Sequence, residues 1–243
     1  MNSIENDENY IDGCPEGENN LNSWTDDSEL PISNSLKFNN LKLDSTNYSF
    51  EMSEELATTT FSIESTQTAY QLSWLPAVLG KAGLKVALVD GWLTRGRGPM
   101  AQKIEGVICH HTAGPRNGNM PSLGILKDGR TDLPGPLSQL GLGRDGTYYV
   151  IAAGKSNHGG MGSWQGFSGN DKFIGIEAEN TGDSIEPWSP VQYEAYVKGI
   201  AAILNYLDLP TIMCCGHKEY APNRKIDPTF NMDEFREQVN SLR

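Results

Sequence analysis

Five apolar runs of strand length constrain this chain more than anything else in it. They cover residues 84–89, 106–111, 140–151, 173–179 and 212–215, and each is bounded by polar residues, Gly or Pro. Runs this short predict strands. The run at 140–151 is interrupted by Asp145-Gly146, a hairpin turn signal. Between the last two runs, Pro190–Leu207 has helical spacing, with Tyr193, Val197, Ile200, Leu204 and Leu207 on one face. Residues 233–242 predict a closing amphipathic helix, with Asp233 and Glu234 in the turn that favours acids. Ser73–Leu79 reads as a short helix with Ser73 near its cap, Pro76 in its first turn and Gly83 ending it. A hairpin and helix-linked strands in one chain predict the α/β class, a mixed central β-sheet flanked by helices. Residues 113–138 are rich in Gly, Pro and Asn, with a one-turn helix expected near 123–126, and form a long loop of the kind that often carries function.

Charge divides the 243 residues into two parts. Residues 1–70 hold 14 of the 31 acids and two of the 19 bases, Lys37 and Lys42. The formal charge of −12 therefore belongs to this segment, and residues 71–243 carry 17 charges of each sign. Residues 1–47 are too polar to offset their ordering entropy. Apolar residues return at 48–63 (Phe50, Met52, Leu56, Phe61, Ile63), as in a segment that docks on a protein partner or on the rest of the chain. The expected organisation is an acidic N-terminal extension, 1–70, and one domain, 71–243, long enough to bury about 70% of its unfolded surface. No segment is strongly basic, so nothing supports a nucleic-acid partner. No apolar run reaches the ~18–20 residues of a membrane span. With neither a basic nor an apolar leader at residue 1, the expectation is synthesis in the cytoplasm without a signal peptide. Cys109, Cys214 and Cys215 lie in apolar runs and are expected to pack as small hydrophobes. With Cys14 they form no disulfide framework, so a reducing compartment is the default.

Of four histidines, His110 and His217 end or follow apolar strands, and Asp227 comes ten residues after His217. Two imidazoles and a carboxylate can make an open zinc site with a fourth position for water. By spacing alone, such a set is more often structural. The surroundings sharpen it. Val107-Ile108-Cys109-His110-His111-Thr112-Ala113, then Ile174-Gly175-Ile176-Glu177, then Gly216-His217 with Pro222 and Lys225-Ile226-Asp227-Pro228, occur in that order around the Arg144-Asp145-Gly146 hairpin.

Together these motifs resemble the type-2 N-acetylmuramoyl-L-alanine amidase family, which shares its fold with peptidoglycan recognition proteins. The resemblance covers residues 84–240 and is strongest over 104–228. Gly216-His217-Lys218-Glu219-Tyr220 is similar to endolysins and tail-associated amidases of bacteriophages. The resemblance implies Zn2+ held by His110, His217 and Asp227, with Glu177 activating water and Lys225 beside the developing oxyanion. It implies hydrolysis of the amide between N-acetylmuramic acid and L-alanine in peptidoglycan, and delivery to the wall by a holin, a virion or another apparatus. His158 matches a loop histidine and is expected to bind substrate in the groove flanked by residues 113–138. A non-catalytic peptidoglycan-binding module, or a structural virion component carrying an amidase-like domain, is the alternative. The tyrosine that some phage members place near the metal has no counterpart, because Ser138 and Gln139 fall there. Tyr148, Tyr149, Trp92 and Trp164 are expected to pack or wall the groove, His111 to face away from His110, and Glu179 to pair with a surface cation.

Overall fold

Residues 106–111 form the strand around which the others are arranged. In the computed structural model, which describes residues 70–243 apart from residue 184, this run is β2 (Gly106–His111), and all of it is buried. It pairs in parallel with β5 (Phe173–Ala178) on one side and β6 (Cys214–Gly216) on the other. Continuous apolar sequence in β2 and β5 is what strands covered on both faces require. Parallel to β5 lies β3 (Leu140–Leu142), which turns back through Asp145-Gly146 into antiparallel β4 (Thr147–Val150). Gly146 supplies the positive φ, +79°, that the turn needs. The edge strand β1 (Lys85–Leu88) runs parallel to β4 and completes the order β1-β4-β3-β5-β2-β6.

Helices α1 (Leu75–Lys81), α3 (Pro190–Leu207) and α5 (Met232–Ser241) cover one face. Leu75, Leu79, Ile200, Leu204, Phe235 and Val239 share a core there with Val107, Cys109, Ile174 and Ile176. Full burial of such a side chain contributes roughly 1.5–3 kcal/mol. The other face is covered more thinly, by α2 (Leu123–Asp128), α4 (His217–Tyr220) and loops. Ile108, Phe173, Cys215, Tyr220 and Ala221 form a second cluster on that side. The mixed sheet flanked by helices is thus the architecture found. Cys109, Cys214 and Cys215 are free and buried. No helix among the described residues is long and apolar enough to cross a membrane.

Three local expectations change. Ser73 does not cap a helix: Gln71–Trp74 is a 3-10 turn, and α1 begins at Leu75 with no side-chain cap, though Pro76 sits in its first turn. The strand expected at 212–215 starts at Cys214, because Met213 N–H donates to Pro210 O and closes a 3-10 turn over Thr211–Met213. The buried stripe of α3 is wider than the spacing suggests and takes in Gln192, Ala195, Tyr196 and Ile203, since sheet, α1 and α5 all press on this helix. Expectations for Cys14, for the 48–63 segment and for the acidic extension lie outside the described residues.

Gly199 interrupts the apolar stripe of α3 for a packing reason. A Cβ there would collide with the ring of Tyr148, which lies fully buried against the helix and donates to Ala195 O at 3.2 Å. Gly199→Ala should therefore destabilise the domain by about 1–3 kcal/mol despite better helix propensity. Gly80→Ala, in α1 with nothing within 4 Å of the new Cβ, should be neutral or stabilise by up to about 1 kcal/mol. Urea denaturation of both variants checks the pair.

Candidate metal centre

The parallel strands β2, β5 and β6 bring His110, Glu177 and His217 to their carboxyl ends, the side where parallel sheets bind ligands. His110 is the penultimate residue of β2, and the parallel register sets it directly beside Glu177 of β5. β6 ends at Gly216, and the next residue, His217, begins α4. A four-residue helix cannot stand alone. Glu219 fastens this one by accepting from Gly216 N at 2.8 Å and receiving both guanidinium arms of Arg236 of α5, each at 2.8 Å. Asp227 is brought back by its own carbonyl, which accepts from Lys218 N at 2.7 Å.

The result is a convergence of three donor atoms. His110 Nδ1 lies 3.0 Å from His217 Nδ1 and 3.1 Å from Asp227 Oδ2, and His217 Nδ1 lies 3.2 Å from the same oxygen. All three residues are buried, and among the described residues this is the group of His, Cys, Asp and Glu side chains arranged to hold a metal ion. Atoms bound about 2.0–2.2 Å from one tetrahedral ion stand about 3.3–3.6 Å apart, close to the spacing seen. His217 Nε2 lies 2.9 Å from Gly159 O, a pure acceptor, so the ring proton is on Nε2 and Nδ1 offers a lone pair. Burial, helped by the neighbouring His217, lowers the His110 pKa to about 4 and keeps that imidazole neutral. Asp227 Oδ2 meets both Nδ1 atoms as the third electron-pair donor of the group. Two imidazoles and one carboxylate are a donor set that fits a divalent metal such as zinc.

Glu177 stands next to this trio. Its Oε1 is 3.8 Å from His110 Nδ1, and its Oε2 is buried with no hydrogen-bond partner. Burial and the Asp227 charge raise its pKa well above the ordinary carboxylate value, while Lys225 opposes them. Lys225 is half-buried and makes no ion pair within 4.0 Å among the described residues. It acts electrostatically on both His110 and Glu177. The five residues singled out from the motifs are therefore gathered at one place.

Other expectations are redirected. His158 is buried rather than displayed on a surface. It is 8% exposed and sits behind His110, with both ring nitrogens engaged. Glu179 meets no surface cation. It is fully buried and accepts from Thr112 Oγ1 at 2.7 Å, Ser122 Oγ at 2.9 Å and Ser122 N at 2.9 Å, tying the loop after β2 to the end of β5. His111 faces away from the trio and packs under Gly182. Tyr148 is core, and the Tyr149 hydroxyl accepts from Asn119. Trp164 stacks under Arg236 and donates to Ile212 O, while Trp92 packs at the core edge.

Spacing gave no hint of Tyr196. Pairing of β2 with β6 ends opposite Cys109, and at the next residue the buried Tyr196 hydroxyl accepts from His110 N at 3.0 Å and donates to Ile176 O at 2.9 Å. The face predicted for α3 leaves Tyr196 out, so the sequence offered no signal for it.

The family model described as N-acetylmuramoyl-L-alanine amidase (Amidase_2) matches residues 100–230, more than half of the chain. No curated protein sequence matches significantly. Among solved structures, a selenomethionine derivative of AmpD is 24% identical, covering 63% of this chain and 99% of its own, with a TM-score of 0.46. The endolysin amidase LysCS of Clostridium intestinale is 19% identical over 64% of this chain and 95% of its own, TM-score 0.46. AmiD of Escherichia coli, solved with an anhydro-muramyl tripeptide substrate, is 24% identical over 62% and 64%, TM-score 0.47.

Removing the Tyr196 hydroxyl should cost more than an ordinary core hydroxyl. Tyr196→Phe removes a buried hydroxyl that bonds the His110 backbone and the Ile176 carbonyl, so a loss of about 1–2 kcal/mol is expected in chemical denaturation.

Proposed function

The chain belongs to the N-acetylmuramoyl-L-alanine amidase family, an enzyme family, and from that premise we propose a zinc-dependent hydrolase that frees stem peptides from peptidoglycan. The observation that carries this reading is the meeting of three lone-pair donors within 3.0–3.2 Å, with the Glu177 carboxyl group 3.8 Å from His110 Nδ1. Zinc bound by His110, His217 and Asp227 would supply Lewis acidity at the scissile carbonyl and an activated water near neutral pH. The remaining chemistry falls to the side chains around it.

Glu177 is the proton carrier in this reading. A carboxyl group with a raised pKa beside the trio takes a proton from the attacking water and hands it to the leaving amine of L-alanine. The Lys225 ammonium stabilises negative charge as it develops on the carbonyl oxygen, a contribution of about 3–4 kcal/mol for a single well-placed donor. The loop after β2, pinned by Glu179, forms a wall that needs little ordering when a glycopeptide binds. The likeness of residues 216–220 to phage lysins supports a lysin as the biological setting. Residues 1–70 lie outside the family match, and we assign them to targeting or docking rather than catalysis.

Mass spectrometry of purified peptidoglycan after digestion tests the bond cut. Wild-type protein should release intact stem peptides with free L-alanine amino termini, and His217→Ala and Glu177→Gln should not. Lys225→Ala should retain zinc but lose about 10²–10³ in kcat. Wall that is bound without release of peptide would instead support the recognition-module reading. Protein beginning at residue 70 should cleave purified wall at the full-length rate while losing any localisation that the longer chain shows.

A further inference from the structure

We propose that His158 and the Gly159 carbonyl form a proton lock that fixes both metal-facing imidazoles in the tautomer with a bare Nδ1, which makes His158 a positioning residue. This rests on the reading of His110, His217 and Asp227 as zinc ligands, and it assigns work to residues that do not touch the ion.

One chain of contacts fixes the position of each proton. It starts at the Phe173 carbonyl of β5, which can only accept. His158 Nε2 lies 3.1 Å from it and must carry a hydrogen. A second proton on that ring would bury a cation with no carboxylate bonded to it among the described residues, so His158 Nδ1 is an acceptor. His110 Nε2 lies 3.2 Å from His158 Nδ1 and therefore donates. The lone pair of His110 is then on Nδ1, the atom that faces His217 and Asp227. The next residue does the same for the second imidazole, because Gly159 O receives His217 Nε2 at 2.9 Å. Two adjacent residues thus govern both rings, one by its side chain and one by its backbone.

The lock is itself held. Asn170 Oδ1 accepts from Gly159 N at 2.7 Å and from His158 N at 3.4 Å, and Arg224 donates to Gly159 O at 2.7 Å. Gly175 of β5 clears the space for the ring, since a Cβ there would stand 2.5 Å from His158 Cγ. A histidine serving merely as filler would need the cavity but not the acceptor facing His110. Partners of this outer kind raise ligand basicity and orient ligand rings, and their loss typically weakens metal binding about 10–100-fold.

Two substitutions separate acceptor from filler. His158→Phe keeps a ring and removes both nitrogens. His158→Gln places an acceptor oxygen and a donor nitrogen on one carbon, as the two ring nitrogens sit on one carbon in imidazole. Zinc affinity measured by chelator competition should fall about 10–100-fold in the Phe variant and return close to wild type in the Gln variant. Long-range 1H–15N NMR of the wild-type protein, metal-free and zinc-loaded, should show His158 protonated on Nε2 alone. A Phe variant that binds zinc as tightly as wild type, or a His158 that carries its proton on Nδ1, overturns the proposal. Failure of the wild-type protein to bind zinc would sink the metal reading instead, and the position of the His158 proton would still decide the lock. Should the Phe variant not fold, the NMR result and the Gln variant carry the test.

Discussion

Two imidazole nitrogens and a carboxylate oxygen, held 3.0–3.2 Å apart in a buried site, repel one another unless something positive sits among them. A bound divalent cation would satisfy all three atoms at once. Much of the domain is the framework that holds these atoms together. The strands supply two fixed points, since the parallel register aligns His110 with Glu177 and the end of β6 sets where His217 begins. The third donor comes from a loop and is held by the backbone contact from Lys218.

That framework is polar where it touches the site and apolar elsewhere. Val107 and Cys109 pack into the helical core, while Ile108 and His110 face the opposite side, where coverage is thin. Alternation along β2 thus separates stability from chemistry. Tyr196 crosses the division: it grows from the core face of α3 and ends on the backbone of His110. Arg236 does the same from α5, reaching Glu219 to fix the short helix that carries His217. Charged and hydroxyl groups this deep are worthwhile because a ligand misplaced by an ångström costs more than the desolvation of its support.

The sheet strands and the longer helices were legible because their signals are periodic and local. β2 and α3 occur at the residues the pattern predicts, and the 140–151 hairpin turns at Asp145-Gly146. The five motif residues were legible through their order along the chain, not through their spacing. Glu179 was not legible because its partners are 57 or more residues distant, and the burial of His158 rests likewise on His110, 48 residues away, so composition nearby suggests exposure while the fold buries both. Tyr196 lies off the face predicted for α3, and its hydroxyl gives no sign of its target until the strands are in place.

Glu177 and Glu179 bring these strands of the argument together. They are the same residue type, two positions apart at the end of one strand, and nothing in their local sequence assigns them different work. Three donors saturate Glu179 and fix it as a brace for the loop after β2. Glu177 keeps Oε2 without a partner, while its Oε1 stands 3.8 Å from His110 Nδ1 and the group lies within the field of Lys225. A carboxylate whose lone pairs are all occupied cannot exchange protons during a reaction, whereas one with a bare oxygen and a raised pKa is suited to it. The division of labour is therefore set by what surrounds each side chain, and the surroundings are assembled from β2, the loop after it and the return of residues 225–227 to the strand ends.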